Sequence, residues 1–158
     1  MSARGFVIAA TLGSAALLLG AWGFQLAGYL PCKMCLWQRW PHAAAVLIGA
    51  VILLGGPRAL AWLGALAAAT TSAIGFYHAG VERGLWEGPS SCSGGGSLSG
   101  LSGGDLLSLD GPVGVVMCDE IAWQFAGLSM AMWNGLLSAG LVLLWVLAAR
   151  AFSRPSGS

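Results

Sequence analysis

Charge is what this sequence has least of. Only 8% of its 158 residues are charged, against 57% hydrophobic, whereas an ordinary soluble domain carries about 25% charged residues. That shortage excludes water as the main solvent for most of the chain. Seven basic and six acidic residues leave a net charge of +1, and no nucleic-acid partner is expected. A Cys-x-x-Cys pair is present, but the residue after its second cysteine is Leu36, not histidine, which excludes covalent haem attachment. No Gly-rich dinucleotide motif follows a strand, so a flavin or nicotinamide carrier has no visible seat.

What is present is apolar and long. Stretches free of Asp, Glu, Lys and Arg predict four spanning helices over roughly residues 5–28, 40–56, 59–81 and 122–149, each near the 17 to 25 residues that cross a hydrocarbon core. The expected fold is an all-α membrane protein. It is a single four-helix domain over 1–158, with two outward connections, 29–39 and 82–121, that carry the cysteines. Arg4 precedes the first apolar run, but that run is too long and bulky for a signal peptide and no small-x-small cleavage site follows it. The first helix is expected to stay in the mature protein.

Orientation follows from the basic residues, which accumulate in short cytoplasmic segments next to helix ends. Arg4, Arg58, Arg150 and Arg154 fall on the side of the termini, in short tails and the tight Gly55-Gly56-Pro57-Arg58 turn. Lys33, Arg39 and Arg83 fall on the other side, together with all six acidic residues. The termini are expected in the cytoplasm and both cysteine loops on the outer face, where a bacterial protein keeps disulfides.

All four cysteines land in those loops, and two pairs suggest themselves: Cys32 with Cys35, and Cys92 with Cys118. A Cys-x-x-Cys disulfide closes a small ring that is easily opened, with one sulfur open to attack and the other placed to resolve it. Pro41 reads as a first-turn residue of the second helix, which sets Cys35 near that helix's positive end with Arg39 in side-chain reach. Both features favour thiolate over thiol. Zinc usually takes two close pairs, and Cys92 and Cys118 are far apart in sequence, so no metal is expected. The competing reading is a non-enzymatic membrane protein whose disulfides brace a partner-binding loop.

Pro31-Cys32-Lys33-Met34-Cys35-Leu36-Trp37-Gln38-Arg39 resembles the first outer loop of the DsbB family of disulfide bond formation proteins. Phe76-Tyr77-His78-Ala79-Gly80-Val81-Glu82, with Trp86, Gly88-Pro89 and Cys92, resembles the approach to that family's second loop. Cys118-Asp119-Glu120 and Trp123, leading into Gly127-Leu128-Ser129-Met130, resembles its exit. The resemblance implies a bacterial inner-membrane oxidoreductase, a protein-disulfide oxidase and quinone reductase. A DsbA-like periplasmic thioredoxin-fold partner would be oxidised, and the electrons would reach ubiquinone or another membrane quinone. It further implies that Cys92 forms the mixed disulfide, that Cys118 is its bonded companion, and that Cys32 and Cys35 reoxidise that pair. Cys35 would face the quinone, with Arg39 stabilising the charge formed there.

Weaker signals surround this core. His78, near the outer end of the third helix, reads either as a quinone hydrogen-bonding group or as an interfacial residue beside Tyr77. His42 is a fainter candidate. Trp37 and Trp40 flank Arg39 as walls of a ring pocket, while most of the eight tryptophans read as interfacial anchors. Ala61, Ala65, Ala68 and Ser72 read as helix packing, and Asn134 as a hydrogen bond across the bundle. The Ser/Gly-rich run from Ser90 to Gly104 is of a flexible composition, and 105–109 and 113–117 are apolar enough to lie on the membrane surface.

Overall fold

In the computed structural model, which describes residues 1–93 and 117–153, four helices dominate. They are α1 (Ala3–Leu26), α2 (Lys33–Leu53), α3 (Ala61–Glu82) and α4 (Met130–Ser153), with a short 3-10 turn, Arg58–Leu60, ahead of α3. Each helix packs on its neighbours in sequence, and α4 closes the ring against α1. Most of the Ser/Gly-rich run, the apolar surface segments after it and Arg154 lie outside the described residues.

Three segments, Ala3–Leu26, Arg58–Glu82 and Met130–Ser153, are long and apolar enough to cross a membrane. Their outward faces carry Leu12, Leu19, Leu63, Leu66 and Leu143 in exposed positions, a surface suited to acyl chains and not to water. In α2 the first turns hold Lys33, Gln38, Arg39 and His42, and continuous apolar sequence begins only after them.

Two boundaries differ from the sequence expectation. α2 begins seven residues early, at Lys33, because Cys32 serves as its N-cap and its sulfur accepts the Cys35 backbone N–H at 3.2 Å. Pro41 consequently lies inside the helix and not in its first turn. α4 begins late, because residues 124–129 form an antiparallel hairpin pairing Gln124 with Ser129 and Phe125 with Leu128. Its turn residues Ala126 and Gly127 have φ of 52° and 76°, the two positive values a tight hairpin turn demands. Ser129 then accepts from the N–H of Met132 at 3.3 Å and starts the helix.

Small residues set the helix spacing. Ala61, Ala65, Ala68 and Ser72 are buried along α3, as the small-residue stripe predicted, and Ser72 donates to the carbonyl of Gly135 on α4 at 2.9 Å. At Gly75 the backbones touch: an added Cβ would come within 2.8 Å of the Gly135 nitrogen. Trp145 is fully buried among the helices. Its indole fills the space left by Gly64, where a Cβ would meet the ring at 2.6 Å.

Candidate functional site: a thiol pair at the mouth of a membrane cavity

The end of the bundle away from the termini holds a second core, made of Cys32, Met34, Val81, Cys92 and Cys118. The sulfurs of Cys32 and Cys35 are 2.9 Å apart and share a hydrogen bond. Cys32 also faces Nε2 of His78 at 3.5 Å. The hydrogen bond with Cys35 holds the Cys32 thiol well below the ordinary range, to about 4, against the opposing effect of burial and with His78 helping. Cys35 is pushed upward by the same hydrogen bond. The sequence reading put the thiolate on Cys35; helix geometry favours Cys32, because α2 starts at once and its first free N–H groups and positive dipole end point back at its cap.

A buried polar string leads inward from Cys32. His78, only 2% exposed, faces Nε2 of Gln38 through its Nδ1 at 3.1 Å, and its Nε2 lies 3.8 Å from a Glu82 carboxylate oxygen. Asn134 on α4 donates to Oε1 of Gln38 at 2.6 Å and to Thr71 on α3 at 3.2 Å. Its own Oδ1 sits 3.0 Å from Nε2 of His42. The cross-bundle hydrogen bond expected of Asn134 is thus present and ties together α2, α3 and α4.

Beside this string lies a cavity of about 430 Å³, walled by Ala16, Leu17, Gly20 and Phe24 of α1 and by Leu137 of α4, with Trp123 and Phe125 also lining it. Cys32, Cys35, Gln38, Arg39, His42, His78, Glu82 and Asn134 all reach its surface. The volume and the mix of apolar walls with a few polar groups suit an organic ligand. Three buried polar atoms of residues at this wall have no partner: Nε of Arg39, a donor, Nδ1 of His42, and Oε2 of Glu82, an acceptor. Arg39 sends its other nitrogens to α1, one to Oε1 of Gln25 at 2.9 Å and one toward the Ala21 carbonyl at 3.4 Å. Trp37 and Trp40 are 41% and 77% exposed and are not among the lining residues; Trp37 lies under the Lys33 ammonium instead. Cys32, Cys35 and His78 also bring three ligating atoms within 4.8 Å, a set that would suit a thiophilic cation.

Cys92 and Cys118 form a disulfide, packed against Cys32 and Met34. The N–H of Cys118 donates to the carbonyl of Cys92, and Lys33 bonds the Ser91 hydroxyl at 3.0 Å, fastening the second loop to the first.

A profile of the family described as Disulfide bond formation protein DsbB matches residues 3–148. The chain belongs to the DsbB family. Proteins named Disulfide bond formation protein B from Xanthomonas oryzae pv. oryzae and Xanthomonas euvesicatoria pv. vesicatoria are each 35% identical over 153 residues, covering 87% of this chain and 84% of theirs. No solved structure matches it.

Seen as a DsbB, the chain is a membrane disulfide bond formation protein, and the geometry gathers most of the residues singled out in the sequence. Cys32, Cys35, Arg39 and His78 share the cavity, and the Cys92–Cys118 pair is stacked behind Cys32. His78 is buried, with its ring turned into the protein toward Cys32. Sequence reasoning passed over Gln38 and Glu82. Glu82 carries a signal that was readable, for it stands four residues after His78 and so on the same helix face.

Proposed function

We propose that this protein oxidises the dithiol of a DsbA-type thioredoxin-fold partner in the periplasm and passes the electrons through both cysteine pairs to a membrane quinone. It would do so in the bacterial inner membrane, with cytoplasmic termini and with α2 as the fourth span. The observation that carries this reading is the position of the Cys32–Cys35 pair, on the wall of a largely apolar cavity between helices, three of the four suited to a bilayer.

The chemistry balances as a relay. A partner thiolate attacks Cys92, the Cys92–Cys118 bond breaks, and Cys118 leaves as thiolate. The partner's second thiol then displaces Cys92, so the partner leaves as a disulfide and Cys92 and Cys118 become a dithiol. Exchange with the Cys32–Cys35 disulfide restores Cys92–Cys118 and leaves Cys32 and Cys35 reduced. The oxidation of that last pair releases two electrons and two protons, and a quinone in the cavity supplies an acceptor for both. Arg39 would hold a quinone ring oxygen through its unpartnered Nε–H, and the apolar α1 wall would suit an isoprenoid chain. Cys32 is the sulfur kept charged, His78 donates to it, and Gln38 holds His78 in place.

The test is protein reconstituted in lipid with a reduced thioredoxin-fold dithiol partner and ubiquinone, followed through quinone absorbance. Turnover is expected in the native chain and none in Cys32→Ser or Cys35→Ser. Arg39→Gln should lose at least tenfold, with Lys restoring only part because it lacks the planar fork. Disulfides that ignore both partner and quinone would instead establish the loop-bracing role.

A further inference from the structure

The polar string beside the cavity has a direction, and two independent backbone groups set it. Gln38 Nε2 lies 3.2 Å from the carbonyl of Met34 and must donate there, so its Oε1 is the acceptor facing Asn134. Thr71 spends its hydroxyl hydrogen on the carbonyl of Gln38 at 3.1 Å, so Thr71 also accepts from Asn134. Both contacts place the NH2 of Asn134 toward Gln38 and Thr71. Its Oδ1 therefore faces His42, whose Nε2 must carry the proton to satisfy it. An imidazole protonated at Nε2 and neutral carries a lone pair at Nδ1. In His42 that atom is buried and has no partner, and the residue, 3% exposed, lines the cavity.

We infer that His42 Nδ1 is the acceptor for a hydroxyl of a hydroquinone, so that the cavity binds the reduced ring in preference to the oxidised one. The inference rests on the quinone reading of the cavity and adds a residue and a direction to it. A buried lone pair gains by facing an O–H and loses by facing a carbonyl oxygen, which is itself only an acceptor. Arg39 Nε–H, a donor, has no such preference, because both a carbonyl and a hydroxyl oxygen accept. His42 stands three residues after Arg39, on the same face of α2, so one helix presents a donor that ignores the redox state of the ring and an acceptor that reads it. Tighter binding of the reduced form makes the bound ring a stronger oxidant: a tenfold preference is worth about 30 mV for a two-electron couple. His78 is different, since Gln38 already donates to its Nδ1.

Equilibrium binding of a short-chain ubiquinone and of its quinol to the reconstituted protein, under conditions that keep each in its redox state, tests this without turnover. The native protein should bind the quinol more tightly. His42→Phe should weaken quinol binding about tenfold, which is about 1.4 kcal/mol, and leave quinone binding within about twofold. Equal weakening of both forms, or of neither, overturns the inference while leaving the cavity a quinone site. If the native protein binds neither form, the quinone reading itself is wrong and the assignment falls with it. A readout that needs no variant is the nitrogen NMR spectrum of isotopically labelled histidine. Nδ1 of one of the two rings should shift on adding quinol and stay in place on adding quinone, and a shift in neither ring with quinol bound also overturns the assignment.

Discussion

At the residue scale the reactive group is decided by which cysteine caps a helix. Cys32 ends an extended segment and receives an N–H, a shared hydrogen bond and the face of His78 at once, and each favours the charged sulfur over the neutral one. A group with a lowered pKa stays ionised as pH falls, until pH reaches that lowered value. With Cys92 and Cys118 replaced by serine and the remaining pair reduced, thiolate absorbance should therefore appear as pH rises through about 4, where a free thiol titrates near 8.5. Cys35→Ala deletes the largest cause, so the midpoint should move upward by more than about one unit, a differential interaction of over about 1.4 kcal/mol. An ultraviolet pH titration reads it. An unmoved midpoint would mean that helix and histidine suffice, and that Cys35 is only the resolving partner.

At the element scale, α3 and α4 form one side of the cavity, and their approach depends on missing side chains. Gly75 faces the Gly135 nitrogen and the Ala131 carbonyl so closely that a Cβ would overlap backbone, which cannot swing aside. Gly75→Ala should part the two helices, at a cost of about 1–3 kcal/mol as for other overpacked sites, and loosen the Asn134 contacts with Thr71 and Gln38. Thermal unfolding in detergent, compared with an exposed control such as Gly23→Ala, where a Cβ meets nothing, measures it. Equal midpoints would show that the crossing has slack. The hairpin before α4 is the other device at this scale, for it sets Trp123 against Phe24, ring centroids 5.0 Å apart, and so helps line the cavity.

For the whole molecule, the question is the path between the two cysteine pairs. The Cys92–Cys118 bond is buried, 2% and 0% exposed, against Cys32. Under the proposed relay a partner reaches this bond only once it has left its contact with Cys32, and a pair that has been displaced no longer packs against the first. Under the proposed relay, Cys118→Ser should accumulate a covalent complex with the partner, and Cys92→Ser should form none. Non-reducing electrophoresis with mass identification of the linked peptides decides it; a complex through Cys118 in the Cys92→Ser chain would reverse the two roles.

Much of this was determined by sequence alone. A chain with 8% charge and four long apolar stretches has few other ways to satisfy its backbone than helices in a membrane, and Cys-x-x-Cys followed by Arg39 already pointed to redox chemistry at the end of the bundle away from the termini. Local signals failed where a side chain did an unusual job. A cysteine cap started α2 ahead of Pro41, and an alanine at positive φ turned the start of the fourth helix into a hairpin. What only the tertiary structure decided is the direction of the buried hydrogen bonds. Gln38, Thr71, Asn134, His42 and His78 sit on three helices and far apart in the chain, and which end of each amide donates depends on partners that meet only once the bundle closes. Composition sets where a polar residue is costly, but only packing sets what it must face.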